Sequence, residues 1–370
     1  MTDHAHCALQ LGAVLAALTF ASACGPSAEE SAPSSRASGG PCFDGGTVRW
    51  IVPFSPGGGY DVYSRLLEPF YEQAIGAEIV IENRTGAGGR VGARLIRDAE
   101  PDGRTMGLAQ GADLIIEGLL GRDLDLHPTE DFTAIGRIGV AAPVLMAARD
   151  SPYRSWNELS RADRPVVWGS TDVGDSSWTF FLGATELLGL DATLLVGYPG
   201  ARETSLGLIR GEMDVAAHTF ESVRDRVLAG DLIPLAQISA HQKDYPELRA
   251  IPTLAGPDGL AARHAHERGE DAERAAARAA ALDRIFQVGR IVLAPQGLEA
   301  PLAQCLRDRL AEVTRNGDFV AAAARANRTL AYAHPDSVAA ELAATAAERE
   351  ELGVLFRRSV EATRAAGAGR

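Results

Sequence analysis

Cysteine is scarce. The chain of 370 residues has four, Cys7, Cys24, Cys42 and Cys305, and none of them forms a CxxC pair or a Cys/His spacing suited to zinc. The eight histidines are scattered outside any HExxH frame, so neither a metal site nor a cofactor is expected. Positive charge is also short. A formal net charge of -13 and a pI near 5.1 give a mean field that repels phosphate backbones and anionic headgroups, which argues against nucleic acid as a partner. No glycine loop closes in Gly-Lys-Ser/Thr, no GxSxG elbow occurs, and neither heptads nor a fixed-period repeat is present. These absences remove P-loop nucleotide chemistry, coiled coils and solenoids.

What remains is 46% apolar with a mean hydropathy near zero, a globular composition long enough for two domains. From Ala8 to Ala23 the chain is Ala/Leu-rich and apolar for about sixteen residues, short of the roughly twenty that a spanning helix needs. The run ends in Ala21-Ser22-Ala23 before Cys24, which reads as a signal peptide over 1–23. Small residues before a cysteine resemble a bacterial lipobox, with Cys24 as the lipidated first residue and the membrane met through that anchor only. Ala21 stands where leucine is usual and the n-region has no Lys or Arg, so simple cleavage after Ala23 is the alternative. Residues 24–46 are rich in Ser, Pro, Gly and Ala and form a tether, about twenty residues giving a reach of roughly 25 Å.

Beyond the tether, β-rich runs alternate with helical periodicity. Thr47–Phe54, Ala77–Glu82 and Thr105–Ala109 read as strands separated by helices over Asp61–Tyr71 and Val91–Asp98. A second series begins at Pro165, Ala192 and Glu212. This alternation predicts an α/β fold of two lobes with mostly parallel sheets and a ligand cleft between them. Lobe 1 is expected over 47–147, lobe 2 over 148–240, and a return to lobe 1 with C-terminal helices over 241–370. Leu232–Ser239 and Arg290–Ala294 are expected as the strands that return the chain to lobe 1. Between them, Ala261–Arg284 reads as a solvated helix broken at Gly269. Residues 301–370 are helical by composition and are expected to cover one face of the first sheet.

Three glycine-bearing loops follow strands. In Phe54-Ser55-Pro56-Gly57-Gly58-Gly59-Tyr60-Asp61, three glycines let the backbone approach a ligand, and the helix that follows adds a partial positive charge. An anion fits such a turn, and Asp61 can also serve as a helix N-cap. The second run, Gly86 to Gly92, begins too far past its strand for a pyrophosphate turn, so no dinucleotide is expected. In the third loop, Gly169 to Ser177, the hydroxyls of Ser170, Thr171 and Ser176 can hold the far side of a ligand, while Asp175 or Ser176 can cap the helix behind it.

The stretches IVPFSPGGGYD, VIENRTGAGGRVGARLI, PDGRTM, VVWGSTDVGDSS, VGYPGARETSLGLIRGEMDVA, KDYPELRAIPTL and APQGLEAPLAQCL stand in an order that resembles the tripartite tricarboxylate transporter solute-binding proteins, also called Bug proteins. The resemblance implies a two-lobed periplasmic binding fold of type II-like form, membrane permease subunits as partners, and a small organic acid, carboxylate or amino-acid-like, as ligand. It further implies that the Phe54–Asp61 and Gly169–Ser177 loops grip that ligand, with Tyr198 and Thr219 near the cleft. This chain departs from the family's usual residues at Tyr60 (threonine), at Asp172 and Asp175 (uncharged) and at Trp178 (histidine). Two added carboxylates either select a ligand with an amine or other donor, or turn away and cap the helix. Processing would leave Cys42 and Cys305, which an oxidising compartment can join as a disulfide. A lipoprotein that senses the ligand for a signalling partner, and a hydrolase with Ser170 or Ser176 as nucleophile, are the alternative functions.

Overall fold

The computed structural model describes residues 40–119, 126–140, 143–239, 245–347, 352–353 and 356. The leader, Cys24 and most of the tether lie outside the described residues.

The first strand, β1 (Thr47–Val52), carries a buried run toward its end and continues through Pro53–Pro56 into helix α1 (Gly59–Ile75). That helix buries Tyr60, Tyr63, Ser64, Leu67, Tyr71 and Ile75, spacings of three and four that put one face against the sheet. It stops at Gly76, whose φ of 76° is the left-handed conformation that closes helices without steric penalty. Next come β2 (Glu78–Asn83), α2 (Arg90–Arg97), β3 (Thr105–Gln110), α3 (Gly111–Leu119) and β4 (Phe132–Gly139). The chain then enters the second lobe with β5 (Pro143–Ala148), α4 (Trp156–Leu159), β6 (Val166–Gly169), α5 (Ser176–Leu182), β7 (Ala192–Leu195), α6 (Ala201–Ile209), β8 (Val215–Thr219), α7 (Phe220–Leu228) and β9 (Leu232–Gln237). It finishes with α8 (Leu260–Glu267), α9 (Ala272–Gln287), β10 (Arg290–Pro295), α10 (Ala300–Val313), α11 (Gly317–Arg325) and α12 (Pro335–Ala347).

Two five-stranded sheets result, ordered β2-β1-β3-β10-β4 and β7-β6-β8-β5-β9. In each, the strands joined by helices pair parallel, whereas β10 in the first and β5 in the second run antiparallel to both neighbours. Because β5 pairs with β8 and β9, residues 143–148 already belong to the second sheet. The strand at 232–239 does not return the chain: β9 is the edge of the second sheet, and β10 alone makes the crossing back. Hydropathy marks a strand but carries no information on which edge it joins.

The segment expected as a solvated helix does break at Gly269, whose φ is +69°. Its second half is not solvated. Ala279, Leu282, Ile285 and Phe286 of α9 are buried in an apolar cluster that includes side chains from both lobes. Glu273, Arg274 and Arg284 of the same helix are exposed, whereas Asp283 is buried beside the apolar stripe. Helices α10 and α11 cover the first sheet through Leu306, Leu310, Val313 and Phe319.

Cys42 and Cys305 form a disulfide, with Cα atoms 5.7 Å apart and 263 residues between them in sequence. It fastens the segment before β1 to α10. Replacing both cysteines with serine is expected to destabilise the protein by about 2–5 kcal/mol, since a long loop is freed in the unfolded chain. Equal melting temperatures with and without reductant would contradict this.

Candidate functional site

The turn after β1 is built by its own side chains. Gly57 takes a φ of +76°, and its amide donates to Asp61 Oδ2 at 2.9 Å, while the Gly58 amide donates to the Ser55 carbonyl at 3.2 Å. Two of the three glycine amides are therefore satisfied within the loop. Pro56 and Gly57 sit exposed on its outside, away from the cleft. The donors that remain belong to the first turn of α1, at Gly59, Tyr60 and Asp61, since the first helical bond runs from the Val62 amide to the Gly58 carbonyl. The Asp61 side chain points back into the loop and also accepts from Arg65 Nε at 3.0 Å. Burial works against its charge, but the hydrogen bonds from Arg65 and the Gly57 amide hold its carboxyl below the usual value.

A narrow cleft with a cavity volume of about 50 Å³ lies between the lobes, lined by Phe54, Ser55, Gly58, Gly59, Tyr60, Gln110, Asp113, Thr171, Asp175, Ser177, Gly200, Ala201, His218, Thr219 and Ser222. The starts of α1, α6, α7 and α5 stand on this wall, as does Asp113 in the first turn of α3. Helices α1 and α6 have Gly58 and Gly200 as N-caps, and α7 has Thr219; none of these caps is closed by a side-chain hydrogen bond. Three positive helix poles thus meet the cleft uncapped, although each helix has one acid in its first turn: Asp61, turned back to the Gly57 amide and Arg65, Glu203, bonded to Ser55, and Glu221, bonded to Tyr245. The fourth, α5, is different: Asp175 caps it, accepting from the Trp178 amide at 2.7 Å.

The two aspartates that depart from the family pattern are both accounted for inside the protein. Asp172 pairs with Arg90 at 2.6 Å, a bridge from the second lobe to the second glycine run, Gly86 to Gly92, of the first. Asp175 also accepts from Ser170 Oγ at 3.1 Å and from the Asp172 amide at 3.1 Å. Burial nevertheless pushes the Asp175 carboxyl up to about 6, outweighing those hydrogen bonds. A carboxyl raised on folding favours the protonated native state, so its contribution is complete below about pH 4 and is lost as pH rises through about 6. Asp175→Asn keeps the oxygen that caps the Trp178 amide but turns an NH2 toward the Asp172 amide, so the expected outcome is the loss of the pH dependence that Asp175 contributes between about pH 4 and 6, whatever the net change in stability. Parallel pH-dependent loss in both proteins, followed by urea unfolding, would refute it.

The lobes touch across the cleft at further points. Ser55 Oγ donates to Glu203 Oε2 at 2.9 Å. Arg290, fully buried, donates to the Val140 carbonyl at 2.7 Å and to Thr219 Oγ1 at 3.0 Å, and lies 3.5 Å from Glu221 Oε2. The histidine on the wall, His218, is pushed down to about 4 by burial and is neutral at physiological pH. No arginine or lysine lines the cleft among the described residues.

Residues 64–260 match the model of the tripartite tricarboxylate transporter family receptor. The chain belongs to this family. It is 28% identical over 234 residues to a protein of the tcbD-tcbE intergenic region of Pseudomonas sp. strain P51, covering 61% of this chain and 68% of that one. With BugT of Bordetella pertussis it shares 26% identity over 216 residues, 56% of this chain and 64% of the relative. Among solved structures, the periplasmic binding protein BugD superposes with a TM-score of 0.67 at 21% identity, covering 84% of this chain and 97% of that chain. MatC of Rhodopseudomonas palustris with bound malate gives 0.65 at 21% identity, covering 83% and 99%. A second R. palustris protein, with adipate, gives 0.67 at 20% identity, covering 84% and 97%. The two-lobed binding-protein fold expected from the sequence is the fold observed.

In this member of the tripartite tricarboxylate transporter receptors, the predicted site residues divide. Phe54, Ser55, Gly58, Gly59, Tyr60, Thr171, Asp175 and Thr219 line the cleft. Tyr198 stands apart, at a neighbouring groove with Gly86–Gly89 and Asp172, its hydroxyl donating to Glu212 at 2.7 Å. Ser170 is buried behind the wall, bonded to Asp175 and to the Asp172 carbonyl, with no imidazole partner among its hydrogen bonds. Ser176 heads α5, and its side chain lies outside the described residues. Trp178 is core, stacked edge-on against Phe356 at 5.6 Å. Ser177 closes the third loop but was not singled out as a ligand contact, and Gln110, Asp113, His218 and Ser222 carry no sequence motif; only their positions at the ends of predicted strands or starts of helices could have flagged them.

Proposed function

We propose that this chain is an extracytoplasmic solute-binding protein that captures a small organic acid in the interlobe cleft for a tripartite tricarboxylate-type transporter, and that it leaves the ligand chemically unchanged. One observation carries the reading: the first turns of α1, α6 and α7 meet one wall with no side-chain cap, so backbone amides offer a positive pole where no cationic side chain does. Such donors hold a carboxylate without attacking it. Ser170 is engaged by Asp175 instead of by a base, which supports binding over acyl transfer. The malate and adipate bound by structural neighbours are ligands of the class proposed. Export, lipid attachment at Cys24 and delivery to membrane permease subunits belong to the same proposal.

A thermal-shift screen of small carboxylates on the purified protein tests it. An acid at a hundred times its dissociation constant should add about 2.7 kcal/mol of stability. A flat response to every acid, confirmed by calorimetry, would remove the proposal.

A further inference from the structure

The wall of the cleft beyond the helix termini is of another kind. Three polar atoms of cleft-lining residues are buried without a hydrogen-bond partner among the described residues: Gln110 Nε2, Ser177 Oγ and His218 Nε2. Gln110 and Ser177 are only 3% and 4% exposed. Buried polar groups are ordinarily paired, so three unpaired ones on one wall await something that enters the cleft. They come from separate elements, the end of β3, the first turn of α5 and β8. The Gln110 amide is oriented by Tyr60, whose hydroxyl donates to Gln110 Oε1 and leaves the donor-only Nε2 over. Tyr60 is one of the departures from the family pattern, so this orientation is a property of the present chain.

Charge on that wall limits what the group can be. The carboxylate of Asp175 is bonded only to neutral partners, the Trp178 and Asp172 amides and the Ser170 hydroxyl. The neighbouring cations are engaged elsewhere. Arg90 is paired with Asp172 at 2.6 Å, and Arg290 lies behind Tyr60, 5.3 Å from its ring, tied to Thr219 and Glu221. Among the described residues that line the cleft, a second full negative charge on a ligand would meet no side-chain cation and two carboxyls, the buried Asp175 and the half-buried Asp113. We infer, resting on the solute-binding reading, that the ligand is a monocarboxylate whose second polar group is an uncharged hydrogen-bond acceptor such as an amide, carbonyl or hydroxyl, received by Gln110 Nε2 with Ser177 and His218, and that dicarboxylates are selected against.

Calorimetry on matched pairs tests this: succinamate against succinate, and adipamate against adipate, at pH 7.5. The half-amide of at least one pair should bind tenfold or more tightly than its diacid. Because Gln110 Oε1 also accepts from the Tyr60 hydroxyl, Gln110→Met is made together with Tyr60→Phe, so that no buried hydroxyl is stranded, and should weaken that half-amide about tenfold relative to Tyr60→Phe alone. Asp175→Asn should narrow the gap within the pair. Equal or tighter binding of both diacids overturns the inference and leaves the solute-binding reading intact, and so does a half-amide affinity that Gln110→Met leaves unchanged relative to Tyr60→Phe alone, as regards Gln110. Binding of no half-amide and no diacid, with no acid active in the wider screen, overturns the solute-binding reading itself.

Discussion

Valine in place of Gly59 is expected to lower affinity for the captured acid by at least about 100-fold, equivalent to about 2.7 kcal/mol. A Cβ at this position would lie 2.0 Å from Ser222 Oγ and 3.0 Å from Ser222 Cβ, across the cleft on the other lobe. Rotation of the serine hydroxyl relieves the first contact but not the second. The lobes must stay apart by the width of a side chain, and the donors of α1 can no longer share a ligand with those of α7. Gly59→Ala combined with Ser222→Gly removes the obstruction and is expected to recover most of the affinity. Titration calorimetry of both variants decides the matter; a valine variant that binds like the parent would show that the close approach is irrelevant to capture.

Arg290→Met is expected to cost about 3–5 kcal/mol of folding stability, because it strands Glu221 as an unpaired charge in the interior. Glu221 is 1% exposed, and its remaining hydrogen-bond partner among the described residues is the Tyr245 hydroxyl, which donates at 2.8 Å. Arg290 also packs its guanidinium 4.6 Å from the centroid of Tyr63, a contact methionine replaces only in part. Adding Glu221→Gln should return a large share of the loss, since the stranded charge is then gone. A double-mutant cycle in urea measures the coupling, and a single-variant loss under about 1 kcal/mol would mean that the pair is effectively solvated.

Where sequence reasoning succeeded, the information was local. Strand, glycine turn and helix start follow one another within Thr47 to Ile75, and the alternation that predicts two α/β lobes needs no long-range knowledge. The failures are contacts between distant residues. Asp172 and Asp175 read as charges that would repel an anion because Arg90, which neutralises the first, is 82 residues away. Capping by Asp175 was legible, being set by spacing along one helix. Gln110, Ser177 and His218 became a wall only after three elements were brought together by the sheet orders. The inner stripe of α9 was masked by the charged residues between its apolar ones, and β9 lacked any signal of its partner.

The disulfide has a mechanical consequence. Tension applied to the chain upstream of residue 42 reaches Cys42 before it reaches β1, and the covalent link passes it to α10 at Cys305. The crosslink, with the bonds from Phe43 and Gly45 to the end of α1, thus spreads the load before it reaches the strand whose far end carries the gripping turn. A pull at the amino end is shared with the outer helical layer, and the hand that holds the cargo takes only part of it.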